Sequence, residues 1–258
     1  MFKKIYLKII DTGERPMLEK KFEEIHDEGV KFAYKFASDF VKDKTVLDFG
    51  CGGGYGTEYL SRFTNLNVTG FDIDKKTIGI NREYYKNKNL QFESEKDRLG
   101  KYDVITSFQV IEHIKERNVD NLLSNIKKHL KDDGLFLCAT PNKLVTSNDL
   151  KKPVMVFHEK EYSPSEFKEK LDRLFLKVLI YGQRRSVDEG NISRREEIVR
   201  RLSQIEVVRL ISRHLPMAIK YLLMGDPKKI EEMTYRLVDD QKEIDKSFIL
   251  IAACYSRK

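Results

Sequence analysis

The chain has 258 residues, 34% of them charged and 40% hydrophobic, which suits one large domain or two small ones and excludes a disordered or fibrous protein. No apolar run reaches the roughly 18 residues a membrane span needs, and the opening MFKKIYLKIIDTGERP lacks a signal peptide's uninterrupted apolar stretch, so a soluble, cytoplasmic protein is expected. The net charge of +7 suits nucleic acid, an anionic membrane or a phosphorylated substrate, but residues 1–150 carry 25 basic and 24 acidic groups against 23 and 17 in 151–258, so the excess is C-terminal.

In chain order, Val30, Ala33, Tyr34, Ala37 and Val41 share a helical face ahead of the first strand. From residue 44 to 140 short apolar runs alternate with longer amphipathic stretches, the pattern of a parallel sheet with crossover helices. Strands are predicted at 45–49, 67–73, 90–92, 102–108 and 135–140, and Val119, Leu122, Leu123, Ile126 and Leu130 mark the helix that crosses to the fifth. Ser163, Pro164 and Glu166 predict an N-cap, a first-turn proline and a capping-box partner for a helix to about Leu174. A sixth strand at 175–181 and a seventh at 247–255 follow, separated by about 65 residues of mostly helical pattern. Cys51, Cys138 and Cys254 form no CxxC pair and leave an odd count, which argues for reduced, buried thiols, against a disulfide framework or a zinc site, and for no metal.

Five of the 14 glycines fall between positions 50 and 56, in Val46-Leu47-Asp48-Phe49-Gly50-Cys51-Gly52-Gly53-Gly54-Tyr55-Gly56. This is a strand with an acidic residue near its end, a glycine-rich turn and a helix start, which brings backbone N–H groups and a helix N-terminus against a ligand. The dinucleotide fingerprint fails, because the position five after Gly50 is Tyr55 and five after Gly52 is Thr57. A P-loop is excluded because no Gly-Lys-Ser/Thr follows.

The Asp-x-Gly-x-Gly-x-Gly arrangement resembles motif I of class I S-adenosylmethionine (SAM)-dependent methyltransferases. Val68 to Asp74 resembles their second strand, with Asp72 as the acid for the ribose hydroxyls and Asp74 as the N-cap of the next helix. Lys101 to Ile114 resembles the fourth strand and its Glu-His turn, and Gly134 to Asn142 the fifth strand with its Thr-Pro-Asn exit. Thr12 to Arg15, Gly54-Tyr55-Gly56, Phe157 to Tyr162 and Gly182-Gln183 are similar to a bacterial and archaeal subgroup associated with cell-surface polysaccharides such as O-antigen and capsule. The resemblance covers roughly 11–185 and returns at the last strand.

It implies a Rossmann-like α/β fold with a seven-stranded, mostly parallel sheet, helices on both faces, an antiparallel last strand and a helical insertion before it. The division expected is a SAM-binding core with an N-terminal lid segment at 1–182, a basic helical insertion at 183–246 and a final strand at 247–258. Cofactor contacts are implied at Asp48, Gly50, Cys51, Gly52, Tyr55, Asp72, Ile73 and Gln109, with Arg15 as lid and Glu95 or Asp97 near adenine. The implied reaction yields S-adenosylhomocysteine (SAH).

An alcohol acceptor needs a base, for which His113 and His158 are the candidates, while a phosphate or carboxylate acceptor would need none. A saccharide acceptor is expected, with a small quinone-precursor-like molecule or SAM binding without turnover as alternatives. Residues 194–225 interleave Arg and Lys with apolar residues, which fits a packed cap, a surface for anionic membrane or, least well, nucleic acid.

Overall fold

The structure, a computed structural model, describes residues 21–24, 28–147, 150–155, 157–185 and 235–256, with Leu202 and Ile205. Glu14, Arg15, His26, His214 and the rest of the basic segment 194–225 lie outside the described residues. Among the described residues no helix is long and apolar enough to cross a membrane.

The first helix, α1 (Glu28–Ser38), leads into β1 (Val46–Phe49), α2 (Tyr55–Ser61), β2 (Val68–Phe71), α3 (Lys75–Tyr84) and β3 (Leu90–Glu93). Then come β4 (Tyr102–Phe108), α4 (Glu116–His129), β5 (Leu130–Pro141), the short α5 (Lys143–Thr146) and α6 (Pro164–Asp172). The chain closes with β6 (Lys177–Arg185), β7 (Tyr235–Val238), α7 (Gln241–Asp245) and β8 (Ile249–Tyr255).

The sheet order is β3-β2-β1-β4-β5-β8-β6-β7. Strands β1 to β5 pair in parallel, while β8 runs antiparallel between β5 and β6, as expected of the last strand. Alternate residues point to opposite faces, so Leu47, Ile105 and Phe136 join one core with α4 and α6, and Val46, Val104 and Leu137 join the other with α1 and α2. Burial on both faces is why these strands read as continuous apolar runs.

Local chemistry starts the helices where the sequence predicts. Asp74 caps α3 by accepting from the Lys76 N–H, and Ser163 and Glu166 form a reciprocal capping box with Pro164 in the first turn of α6. All three cysteines are buried and free.

Three expectations need correction. Among the described residues the sheet has eight strands: β7 and α7 lie in the stretch read as a helical insertion, and β7 pairs antiparallel with β6. Strand six is displaced, because Phe175 turns into the core behind α6 and pairing starts only at Lys177, so Gly182 and Gln183 lie inside the strand rather than after it. Gly182 is required there, since a Cβ would stand 2.0 Å from Ser247 Oγ. Finally, Val41 lies beyond the end of α1 and Leu130 opens β5, although both are buried.

Candidate active site

The chain leaves β1 to build β2 and β3 on one side and returns to place β4 on the other, so the carboxyl ends of β1 and β4 open a crevice at a topological switch point. The glycine loop follows β1 directly. Gly50, Gly52 and Gly54 have φ of 86°, 49° and 78°, the left-handed region that disfavours side chains. At Gly50 a Cβ would also stand 2.5 Å from Val110 Cγ2, which packs the loop against the turn after β4. At Gly52 a Cβ would meet nothing within 4 Å, so this backbone faces open space.

The loop is bolted from beneath. The Gly50 and Cys51 N–H groups donate to the Phe71 carbonyl, Asn81 Nδ2 donates to the Gly52 carbonyl at 2.8 Å, and Tyr85 Oη donates to the Gly53 carbonyl at 3.2 Å. Asp72 Oδ2 accepts from the Gly52 N–H at 3.1 Å and Oδ1 from the Asp74 N–H at 2.9 Å, which fixes the acid at the end of β2 against the loop. Ile73 beside it is 71% exposed. Tyr55 opens α2 and meets the Tyr34 ring edge-on at 6.1 Å. Glu95 and Asp97 lie on an exposed turn after β3, where Glu95 pairs with Lys75 and Arg98.

Asp48 is 1% exposed. Thr57 Oγ1 donates to its Oδ2 at 2.7 Å, Thr106 Oγ1 to its Oδ1 at 2.9 Å, and Tyr34 Oη reaches both oxygens at 3.1 and 3.3 Å. Burial pushes its carboxyl up to about 6, against the opposing pull of these hydroxyls. Enclosed in this way, Asp48 ties β1 to α1, α2 and β4 below the loop, and direct contact with a ligand is the part of its expected role that the geometry does not favour.

On the other side of the crevice, Gln109 ends β4 with φ 56°, held by its N–H donating to the Ala139 carbonyl. A left-handed non-glycine residue stores about 1 to 3 kcal/mol and is concentrated at functional turns. It turns the chain into the 3-10 segment Ile111–His113. The segment after β5 is stitched to this turn, because the Glu159 and Lys160 N–H groups donate to the Glu112 carbonyl. The stitching brings the two expected histidines together, with ring centroids 5.0 Å apart and edge to face.

The His158 ring is buried, and its Nδ1 lies 2.7 Å from Glu161 Oε1. Burial raises the Glu161 carboxyl, but hydrogen bonds from His158, Ser147 and Thr146 hold it below the ordinary glutamate range. His113 is exposed, and its Nδ1 lies 3.2 Å from the Phe157 carbonyl. Glu112 is fully enclosed; burial pushes its carboxyl up to about 7, and Thr140 Oγ1 donates to its Oε2 at 3.0 Å.

Sequence reasoning missed several of these groups. Tyr34, Thr57 and Thr106, which clamp Asp48, carry no motif of their own. Asn81 and Tyr85 read as parts of an amphipathic stretch. Glu112 and Glu161 lie within the segments 101–114 and 157–162, and the signal beside each is a large apolar residue, Ile111 or Tyr162, that is buried.

A family model described as "Methyltransferase domain" matches residues 17–185. A "Probable S-adenosylmethionine-dependent methyltransferase" of Mycolicibacterium smegmatis is 27% identical over 164 residues, 62% of this chain and 63% of that protein. A "Ubiquinone biosynthesis O-methyltransferase" of Pelagibacter ubique is 32% identical over 114 residues, 42% of this chain and 46% of that one. The chain thus spans less than two thirds of the length of these curated relatives. A SAM-dependent methyltransferase from Archaeoglobus fulgidus, known as a crystal structure, has the same fold, with TM-score 0.54 at 16% identity over 91% of this chain and 96% of that one.

Proposed function

The chain belongs to the methyltransferase-domain family, and from that membership we propose that it binds SAM in the glycine cradle and methylates a hydroxyl of a saccharide or glycan-linked group. The observation that carries the hydroxyl reading is the buried His158–Glu161 pair, 2.7 Å apart, beside His113 in the turn that follows β4.

The cradle fits the cofactor. The open space at Gly52 admits a ligand against the backbone of Gly50, Cys51 and Gly52. A carboxylate accepts several hydrogen bonds, which suits Asp72, at the end of β2 against the loop, to the ribose hydroxyls. Ile73 offers an exposed apolar face for the adenine, with Glu95 or Asp97 at the rim for its amine, and Tyr55 and Gln109 flank the methionine end. Asp48 holds the cradle's shape through its three hydroxyl partners and is a positioning residue. Arg15 is the proposed lid.

When bound, SAM supplies an electrophilic methyl group on a sulfonium. The protein has to align it in line with the acceptor oxygen and remove that oxygen's proton. Glu161 fixes the His158 tautomer so that Nε2 takes the proton, the same division of labour as in a carboxylate-oriented catalytic histidine.

The saccharide reading is supported by the segments 12–15, 54–56, 157–162 and 182–183. Residues 194–225 would then bring the enzyme to anionic membrane, where vesicle flotation tests contact. The likeness to the Pelagibacter ubique protein favours a second reading, a phenolic hydroxyl of a quinone-precursor-like molecule. Isothermal titration with SAM and SAH, followed by SAH release with saccharide and catechol panels, tests all of this. Turnover with saccharides alone is expected. Turnover with catechols alone moves the assignment to the second reading, binding without turnover leaves a SAM-binding protein, and absent SAM binding at millimolar ligand defeats the proposal.

A further inference from the structure

We propose that Glu112, His113 and His158 form a binding site for one divalent transition-metal ion. One ligand atom from each of the three lies within 4.8 Å of the others. Donors on a four-coordinate ion with bonds near 2.1 Å stand about 3.4 Å apart, so small side-chain adjustments close the site.

A second observation points to a cation. Glu112 is fully enclosed, Thr140 occupies its Oε2, and its Oε1 has no hydrogen-bond partner. An enclosed carboxylate oxygen without a partner is costly, and the few cases in folded proteins call for a specific occupant.

The supports around the cluster are those of a metal centre. His158 presents Nδ1 to the Glu161 carboxylate and His113 presents Nδ1 to the Phe157 carbonyl, which turns the Nε2 side of each ring the other way. Metal-bound histidines are oriented in this manner, through the nitrogen that does not bind the ion. The two loops that supply the ligands are tied together by the Glu159 and Lys160 N–H groups on the Glu112 carbonyl, so the set is held before any ion arrives.

Two imidazole nitrogens and one carboxylate oxygen select a borderline ion such as Zn2+ or Co2+ over Mg2+ or Ca2+, which prefer all-oxygen shells. Three protein ligands leave a coordination position for water or an acceptor oxygen, and His113 is on the exposed side of the cluster. The site rests on its own geometry. Only its consequence rests on the methyl-transfer reading: with an ion on Nε2, His158 no longer takes a proton, and the acceptor oxygen would be held by the ion instead, releasing its proton to bulk water.

The full chain, stripped with chelator and dialysed, is titrated with Co2+ and with Zn2+, with SAM titrated separately. One equivalent of Co2+ with the visible bands of a nitrogen-ligated ion is expected. Affinity should fall about tenfold or more in Glu112→Gln and in His113→Ala. Glu169→Gln, an exposed carboxylate on α6 that pairs with Arg173, should leave it unchanged. His113→Ala alters an exposed ring and keeps the test open if Glu112→Gln fails to fold, as checked by thermal melts. No saturable binding of either ion, or undiminished binding in His113→Ala, overturns the proposal. Saturable Co2+ binding that His113→Ala weakens supports it, even if SAM fails to bind and the methyl-transfer reading falls.

Discussion

Single residues in the glycine loop look alike in sequence and differ sharply in what surrounds them. Gly56→Ala would put a Cβ 1.9 Å from Tyr34 Cζ, displacing the ring whose hydroxyl clamps Asp48. Gly52→Ala meets nothing, so it should cost only about 1 to 2 kcal/mol for its left-handed backbone while weakening SAM binding at least about tenfold. Melting curves and titration calorimetry on both variants check this pair, and unaltered SAM affinity in Gly52→Ala would place the ligand elsewhere. Asp48 gives a pH prediction. Its folded carboxyl, at about 6, holds its proton more tightly than the unfolded one at 3.8. The contribution therefore favours the folded state below the unfolded value and is lost as pH rises from about 4 to about 6, by about 3 kcal/mol. Denaturant unfolding of the ligand-free wild type should lose stability relative to Asp48→Asn across that window, and parallel profiles would contradict it. The motif made Asp48 legible in the sequence, but its clamps were not, because Tyr34 and Thr106 lie 14 and 58 residues away and only the fold brings them in.

At the scale of elements, the Thr-Pro-Asn exit of β5 has a structural use that its motif conceals. Asn142 caps α5 through the Leu144 N–H, and its Nδ2 donates to the carbonyls of Ile244, Asp245 and Ser247. It therefore ties the end of β5 to the turn between α7 and β8. Asn142→Ala should destabilise the protein by about 2 to 4 kcal/mol, from a lost cap and enclosed carbonyls left without a donor. Faster amide exchange confined to residues 241–255 is the expected signature, and uniform exchange would refute the tie. The helix starts were legible, because Asp74 and the Ser163–Glu166 box act within one turn of the chain. Strand β7 was not. Tyr235–Val238 is a four-residue edge strand that buries fully only Val238 and pairs with β6 alone, so neither period nor apolar length marks it.

For the whole molecule, the final strand is inserted between β5 and β6 rather than added at an edge. Removing residues 247–258 would leave β5 and β6 each with an unpaired edge, separate β6 and β7 from the rest of the sheet, and remove Leu250, Ile251, Ala252 and Cys254 from the two cores. The truncated chain should show no cooperative unfolding transition and no SAM binding, whereas a cooperative transition by circular dichroism would mean that the sheet closes without β8. By itself the sequence determined the parallel half of the sheet, the glycine cradle and the acid that follows β2, because each is written in contiguous residues whose backbone and burial demands are local. Only the tertiary structure decided that Asp48 is enclosed, that an eighth strand extends the sheet, and that Glu112, His113, His158 and Glu161 form one cluster. Those outcomes depend on contacts between segments far apart in the chain, and the pairing of β4 with β5 is what sets the two loops side by side.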